Sequence, residues 1–187
     1  MINYNKYLQK GIFYTTYLEK VKNDILEKKP LFEYSELNIK RMERLNKTFH
    51  LTEDQAKKLN SLDNNFSILI ISEGWCGDAS QILPIINAIA NELRVEMRIV
   101  FRDENEELME QYLTNSSKSI PIIIIVDTNA NKEIAHWGPR PMAGKELLRK
   151  HKESKEQYDA DVFHIELQKY YNTNKGEDIF NEFIGIL

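Results

Sequence analysis

The chain has 187 residues, 42% of them apolar and 29% charged, which is the balance of one water-soluble globular domain with room for a substantial core. Disordered, collagen-like and disulfide-rich secreted proteins are excluded by that composition. Twenty-five Lys and Arg against 29 Asp and Glu leave a net charge of −4 with no basic, aromatic-rich segment, so nucleic acid is not an expected partner.

The first part of the chain, 1–47, reads as a helical extension packed on the remainder, 48–187. Thr16 with Glu19 three residues on forms a capping-box pattern ahead of Leu18, Val21, Ile25 and Leu26, and Pro30 ends that helix. A second helix over about 36–46 aligns Leu37, Met42 and Leu45, and Thr52 with Gln55 caps a third that carries Ala56, Leu59 and Leu62.

After Asn64-Asn65 the texture changes to short apolar strands between helices. Ser67 to Ser72 is a continuous apolar run suited to a strand covered on both faces. The spacing of Ile82, Ile85, Ile86, Ile89 and Leu93 predicts a helix, Val95 to Phe101 a strand, and Asp103 the cap of a helix reaching about Leu113. Pro121 to Asp127 is the most apolar strand, and Lys132 to Trp137 returns beside it after an Asn129-Ala130-Asn131 turn. Beyond Gly138-Pro139-Arg140-Pro141 the chain is helical, broken near Tyr158 to Asp161. It ends in a short helix whose Ile179, Phe180, Phe183, Ile184 and Leu187 should dock. No run is long and apolar enough for a bilayer, and the N-terminus lacks the apolar stretch of a signal peptide. No membrane association and a cytoplasmic location are therefore expected.

The single cysteine, Cys76, allows neither an internal disulfide nor a multi-cysteine metal site, and suits a reducing compartment. It stands in Ser72-Glu73-Gly74-Trp75-Cys76-Gly77-Asp78-Ala79, at the junction of a buried strand with a helix. Unpaired backbone N–H groups at such a helix start favour thiolate over thiol. His50, His136, His151 and His164 share no ligand spacing with one another, with acids or with Cys76, so no metal and no cofactor are expected.

Over roughly Thr48 to Glu146 the sequence resembles the thioredoxin superfamily, whose Trp-Cys-Gly-x-Cys motif sits at this junction. Pro84, eight residues after Cys76, matches the proline that kinks the active-site helix of that family. Ile120-Pro121, 45 residues after Cys76, matches its cis-proline, and Gly138 falls where it tends to have glycine. The Trp-Cys-Gly-Asp form and Trp137-Gly138-Pro139-Arg140-Pro141 are similar to a bacterial group labelled only "thioredoxin family protein". The resemblance implies an α/β fold with a central mixed sheet flanked by helices, here with a helical N-terminal extension and a long helical tail.

It also implies a site: Cys76 as nucleophile, with Trp75, Gly77, Asp78, Ile120 and Pro121 forming the partner-binding groove. The resolving cysteine is replaced by Ala79, so a dithiol cycle is excluded. Ile70 stands where thioredoxins often bury an acid, and Asp78 replaces the proline beside the sulfur, opposing its ionisation. Two readings stand. In the first, the protein is a monothiol oxidoreductase: Cys76 attacks a protein disulfide or a low-molecular-weight mixed disulfide, and an external thiol resolves the product. In the second, it is a non-catalytic binding module of the same fold. Asp78 and Glu73 are expected to be solvated charges, and Arg140 a solvent-exposed residue at a helix entry or, as the alternative, an anion contact.

Overall fold

In the computed structural model, residues 2–156 and 158–187 are described. Four helices come first: α1 (Tyr4–Lys10), α2 (Tyr14–Leu26), α3 (Phe32–Thr48) and α4 (Glu53–Leu59). The α/β core follows as β1 (Ser67–Ser72), α5 (Gly77–Leu93), β2 (Met97–Phe101), α6 (Glu106–Met109), β3 (Ile122–Asp127) and β4 (Lys132–Trp137). The chain ends in α7 (Met142–Glu153), α8 (Ala160–Asn174) and α9 (Glu177–Ile184). The strands form one mixed sheet in the order β2-β1-β3-β4, with β1 and β2 parallel and the other two pairings antiparallel.

Every residue of β1 is buried, as are the first five of β3. Because alternate side chains of a strand point to opposite faces, unbroken burial means that both faces of this central pair are covered. Each fully buried isoleucine in the pair contributes about 1.5–3 kcal/mol of apolar transfer free energy. The pairing Ile70↔Ile123 lies at the middle of that core. By contrast β4 alternates exposed and less exposed residues up to the buried Trp137, as an edge strand does.

The N-terminal helices depart from the sequence reading at their boundaries. Helix α2 begins at Tyr14, so Thr16 lies inside it and caps nothing; its buried residues are Tyr14, Tyr17 and Val21, and Leu26 is 80% exposed. Tyrosine rings rather than the aliphatic stripe supply the anchoring face. Helix α3 is longer than expected and buries Ser35, Asn38, Ile39 and Met42, leaving Leu37 half-exposed. The Thr52–Gln55 capping box is present with both of its hydrogen bonds. A helix capped by Asp103 does not form: Asp103 pairs with Arg102, α6 starts after Asn105, and a short 3-10 turn over Glu110–Tyr112 replaces its last turns.

The N-terminal segment also reaches the sheet itself. Between α1 and α2, Ile12 exchanges two backbone hydrogen bonds with Ile99 of β2, at 2.9 and 2.8 Å. At the other end, Phe180 and Phe183 of α9 are buried against the core, and α9 packs on α5. Helix α7 ends at Glu153 and α8 begins at Ala160, so the break opens a few residues ahead of where the sequence placed it, with Asp159 capping α8 through the Val162 N–H.

Candidate functional site

Helix α5 positions the site. Cys76 is its N-cap: Sγ accepts the Ala79 N–H at 3.5 Å and donates its proton to the carbonyl oxygen of Ile120 at 3.3 Å. The Ile120–Pro121 peptide is cis and opens onto β3. Gly138 closes the arrangement from β4. A Cβ there would lie 2.3 Å from the Pro121 carbonyl oxygen, and its φ of +133° is one that L side chains rarely adopt, so only glycine fits. Pro84 sits inside α5 and is buried.

The loop ahead of Cys76 is gripped from the helical extension. Val21 of α2 touches Gly74 so closely that a Cβ there would meet its methyl group at 2.7 Å. From α3, Asn38 donates its side-chain N–H to the Gly74 carbonyl at 3.0 Å and accepts from Arg41 at 3.2 Å. Trp75 is half-buried, with the Arg102 guanidinium 4.7 Å from its ring. A cation over an indole face is attractive, by about 0.5–1 kcal/mol where exposed.

The structure does not assemble all the expected groove residues on one accessible surface. Gly77 is exposed and Trp75 half-buried, whereas Asp78, Ile120 and Pro121 are buried. Cys76 itself is 7% exposed.

The sequence expectation for Asp78 and Arg140 as solvated residues is overturned. Arg140 lays Nε and Nη2 on Asp78 Oδ2, the former at 2.9 Å, and the Tyr171 hydroxyl donates to Oδ1 at 2.7 Å. Both carboxylate oxygens are therefore occupied, and the loop after β4 and the tail helix α8 close over this side of the cysteine. Arg140 does meet an anion, but the molecule's own Asp78 carboxylate. A buried ion pair survives only when its remaining hydrogen-bonding capacity is met, and the tyrosine meets it. Tyr171 was invisible as a site residue in the sequence, because an aromatic at helical spacing on α8 reads as core. Asn38 and Arg41 carried a faint signal as polar residues interrupting the apolar face of α3.

These surroundings set the chemistry of the thiol. Burial pushes the Cys76 thiol up to about 12 and the Asp78 carboxylate pushes the same way, while the Ala79 N–H and Arg140 pull it down. Desolvation outweighs the helix terminus, and the proton stays on sulfur, shared with the Ile120 carbonyl. Glu73 is also perturbed. Burial raises its carboxyl to about 7, against the opposing hydrogen bond of 3.0 Å that it accepts from the Asp103 N–H. Among the described residues no cluster of three or more His, Cys, Asp or Glu side chains is placed to hold a metal, and no helix is long and apolar enough to cross a membrane.

A strand-to-helix cysteine facing a cis-proline across a mixed four-stranded sheet defines a thioredoxin-like protein. The chain belongs to the thioredoxin family, whose model matches residues 27–156. Its fold is also similar to two solved structures. One is a protein of unknown function from Pseudomonas aeruginosa, 15% identical at a TM-score of 0.66, covering 100% of this chain and 97% of that one. The other is an HIV epitope-scaffold, 15% identical at a TM-score of 0.65, covering 99% of this chain and 97% of that one. At that identity the likeness speaks for the fold alone.

Proposed function

We propose that this protein is a thioredoxin-fold binding module in which the Cys76 thiol is a structural hydrogen-bond donor rather than a resting nucleophile. The observation that carries this reading is the enclosure of Cys76: 7% exposed, donating to the Ile120 carbonyl, and displaced toward the neutral form by burial and Asp78. The loss of the resolving cysteine at Ala79 points the same way, because nothing in the chain then needs an ionised sulfur. What remains open to a partner at this end of the fold is Trp75 and Gly77, flanked by Arg102 and Arg41.

Monothiol exchange is a second reading, favoured by one observation: the sulfur caps a 17-residue helix and feels the Ala79 N–H and Arg140, both of which stabilise a thiolate. In that scheme the Cys76 thiolate attacks a disulfide, forming a mixed disulfide and expelling one thiolate. A small external thiol then attacks the mixed disulfide, leaves as the new disulfide, and returns Cys76 to the thiol.

The pH dependence of iodoacetamide alkylation separates the two, with the unfolded chain as reference. The binding-module reading expects slow labelling with a midpoint well above the reference. Fast labelling with a midpoint below it overturns that reading in favour of exchange. Cys76→Ser adds an independent arm: partner capture unchanged by the substitution supports the binding module, and capture abolished with an intact fold contradicts it.

A further inference from the structure

Beside the first turn of α5, an open trough runs between α3 and α8. A groove of about 560 Å³ runs past Arg41, His164, Gln168, Lys169 and Asn172, and a second of about 840 Å³ continues from Asn172 past Arg44 toward α9. The near end abuts the site: Arg41 Nη1 lies 3.8 Å from where a Gly77 side chain would begin.

Its charge is unbalanced. Among the described residues, no carboxylate oxygen lies within 4.0 Å of the charged nitrogens of Arg41, Arg44 or Lys169. Arg41 is destabilised as a cation by burial and by Arg44, and the Asp78 carboxylate that attracts it is already held by Arg140. Glu166, one turn before Lys169, is turned to Tyr158 and Lys150 instead. Among the described residues, Glu177 is the one acidic residue lining the farther groove, and none lines the nearer. In a chain of net charge −4, Arg41, Arg44 and Lys169, with Lys175 also lining the farther groove, are an electrostatic feature that a partner of opposite sign would complete.

Between the cations runs a ladder of side-chain amides. Gln81 donates to Gln168 at 3.3 Å, Gln168 to Asn172 at 3.1 Å, and Arg44 to the same Asn172 oxygen at 3.2 Å. Amides both donate and accept, which matches the alternating N–H and C=O groups of an extended peptide, whereas a small inorganic anion uses donors alone.

We infer that the α3–α8 trough binds an extended acidic peptide segment of a partner protein, through Arg41, Arg44 and Lys169 for its carboxylates and Gln168 and Asn172 for its backbone. This names the partner class of the binding module and rests on that reading for its biological meaning, while the binding itself needs neither Cys76 nor Trp75.

The test is fluorescence anisotropy of a labelled octaglutamate peptide, with octaserine as control, at low and at near-physiological salt. Saturable binding to the octaglutamate, weakened about fivefold or more by the Arg41→Gln, Lys169→Gln double variant and unchanged by Lys152→Gln on α7, is the expected result. Amide NMR shifts at Gly77 and Gln168 on titration provide a readout in the unmutated protein. No saturable binding at low salt, shifts confined to other regions, or binding indifferent to the double variant would overturn the inference. Complete displacement by citrate at matched carboxylate concentration would also overturn it, in favour of a small-anion site. A variant Trp75→Ala that keeps both peptide binding and partner capture would count against the Trp75 surface of the proposed function and leave the trough standing.

Discussion

Two arginines, Arg140 and Arg41, stand near the first turn of α5, and their fates differ. Arg140 is spent: its guanidinium is locked on Asp78, Tyr171 completes the carboxylate's hydrogen bonds, and the cysteine is closed off on that side. Among the described residues Arg41 is held by Asn38 alone, and it lines an open trough. One cation is used to fold the molecule and the other is left for something outside it. The difference shows why a charged residue near a reactive position does not by itself define an active site; its partner does.

The largest test of the contrast is to remove the spent cation. Arg140→Met leaves Asp78 charged in a buried setting and is expected to cost about 3–5 kcal/mol in denaturant unfolding, whereas the double variant Asp78→Asn, Arg140→Met recovers most of that loss. A cost below about 1 kcal/mol for the single variant would mean that the pair is not desolvated as described.

The next largest effect belongs to the thiol. Because the folded-state value, about 12, lies above the ordinary thiol value of 9.0, the contribution is fully present below pH 9 and is lost as pH rises toward 12, where the unfolded chain ionises first. Stability should therefore fall across that window by roughly 4 kcal/mol at most, a fall that Cys76→Ala removes from its own pH profile. A profile identical for the two proteins above pH 9 would contradict the enclosure of Cys76.

Glu73 gives a smaller effect nearer neutrality. Its carboxyl is raised from 4.5 to about 7, so the stabilising contribution present below pH 4.5 is lost as pH climbs through 7. Glu73→Gln should be more stable than the unmodified protein at pH 8 by about 1–2 kcal/mol, after allowance for solvent screening of a half-buried group, and indistinguishable at pH 4. Equal melting temperatures at both pH values would remove the case for a protonated Glu73. Smallest of all, Arg41→Gln should change stability by less than about 0.5 kcal/mol, because among the described residues Arg41 has no ion-pair partner to lose, and it repels Arg44. A cost comparable with that of Arg140→Met would erase the contrast.

The sequence reached the fold through four widely spaced residues: Cys76, Pro121 and Gly138, which the structure gathers around the start of α5, and Pro84 within that helix. It reached the α5 face and the buried α9 anchor through 3.6-residue apolar periodicity. It misjudged the α2 start because a Thr-x-x-Glu pattern has the same letters inside a helix as at its entry, and tyrosine burial decided the outcome. The electrostatics around Cys76 lay beyond the sequence for a different reason. Asp78 is 62 residues from Arg140 and 93 from Tyr171, and nothing local to any of the three says that they meet. A carboxylate in a loop-to-helix motif reads as solvated until the element that covers it is known, and that element here is the tail beyond the strands.

The Ile12–Ile99 bridge has a consequence for the protein's behaviour at high concentration. β2 is one edge of the sheet, a row of backbone groups that another chain's strand could otherwise pair with. Ile12 occupies the middle of that row, and the α1–α2 corner lies across the rest, close enough that a Cβ on Gly11 would meet Arg98 Cβ at 2.8 Å. The opposite edge, β4, is shielded in another way, by Lys132, Glu133 and His136 spaced along it. The helical extension thus serves as a guard against edge-to-edge aggregation, a task that every copy of the chain performs for itself.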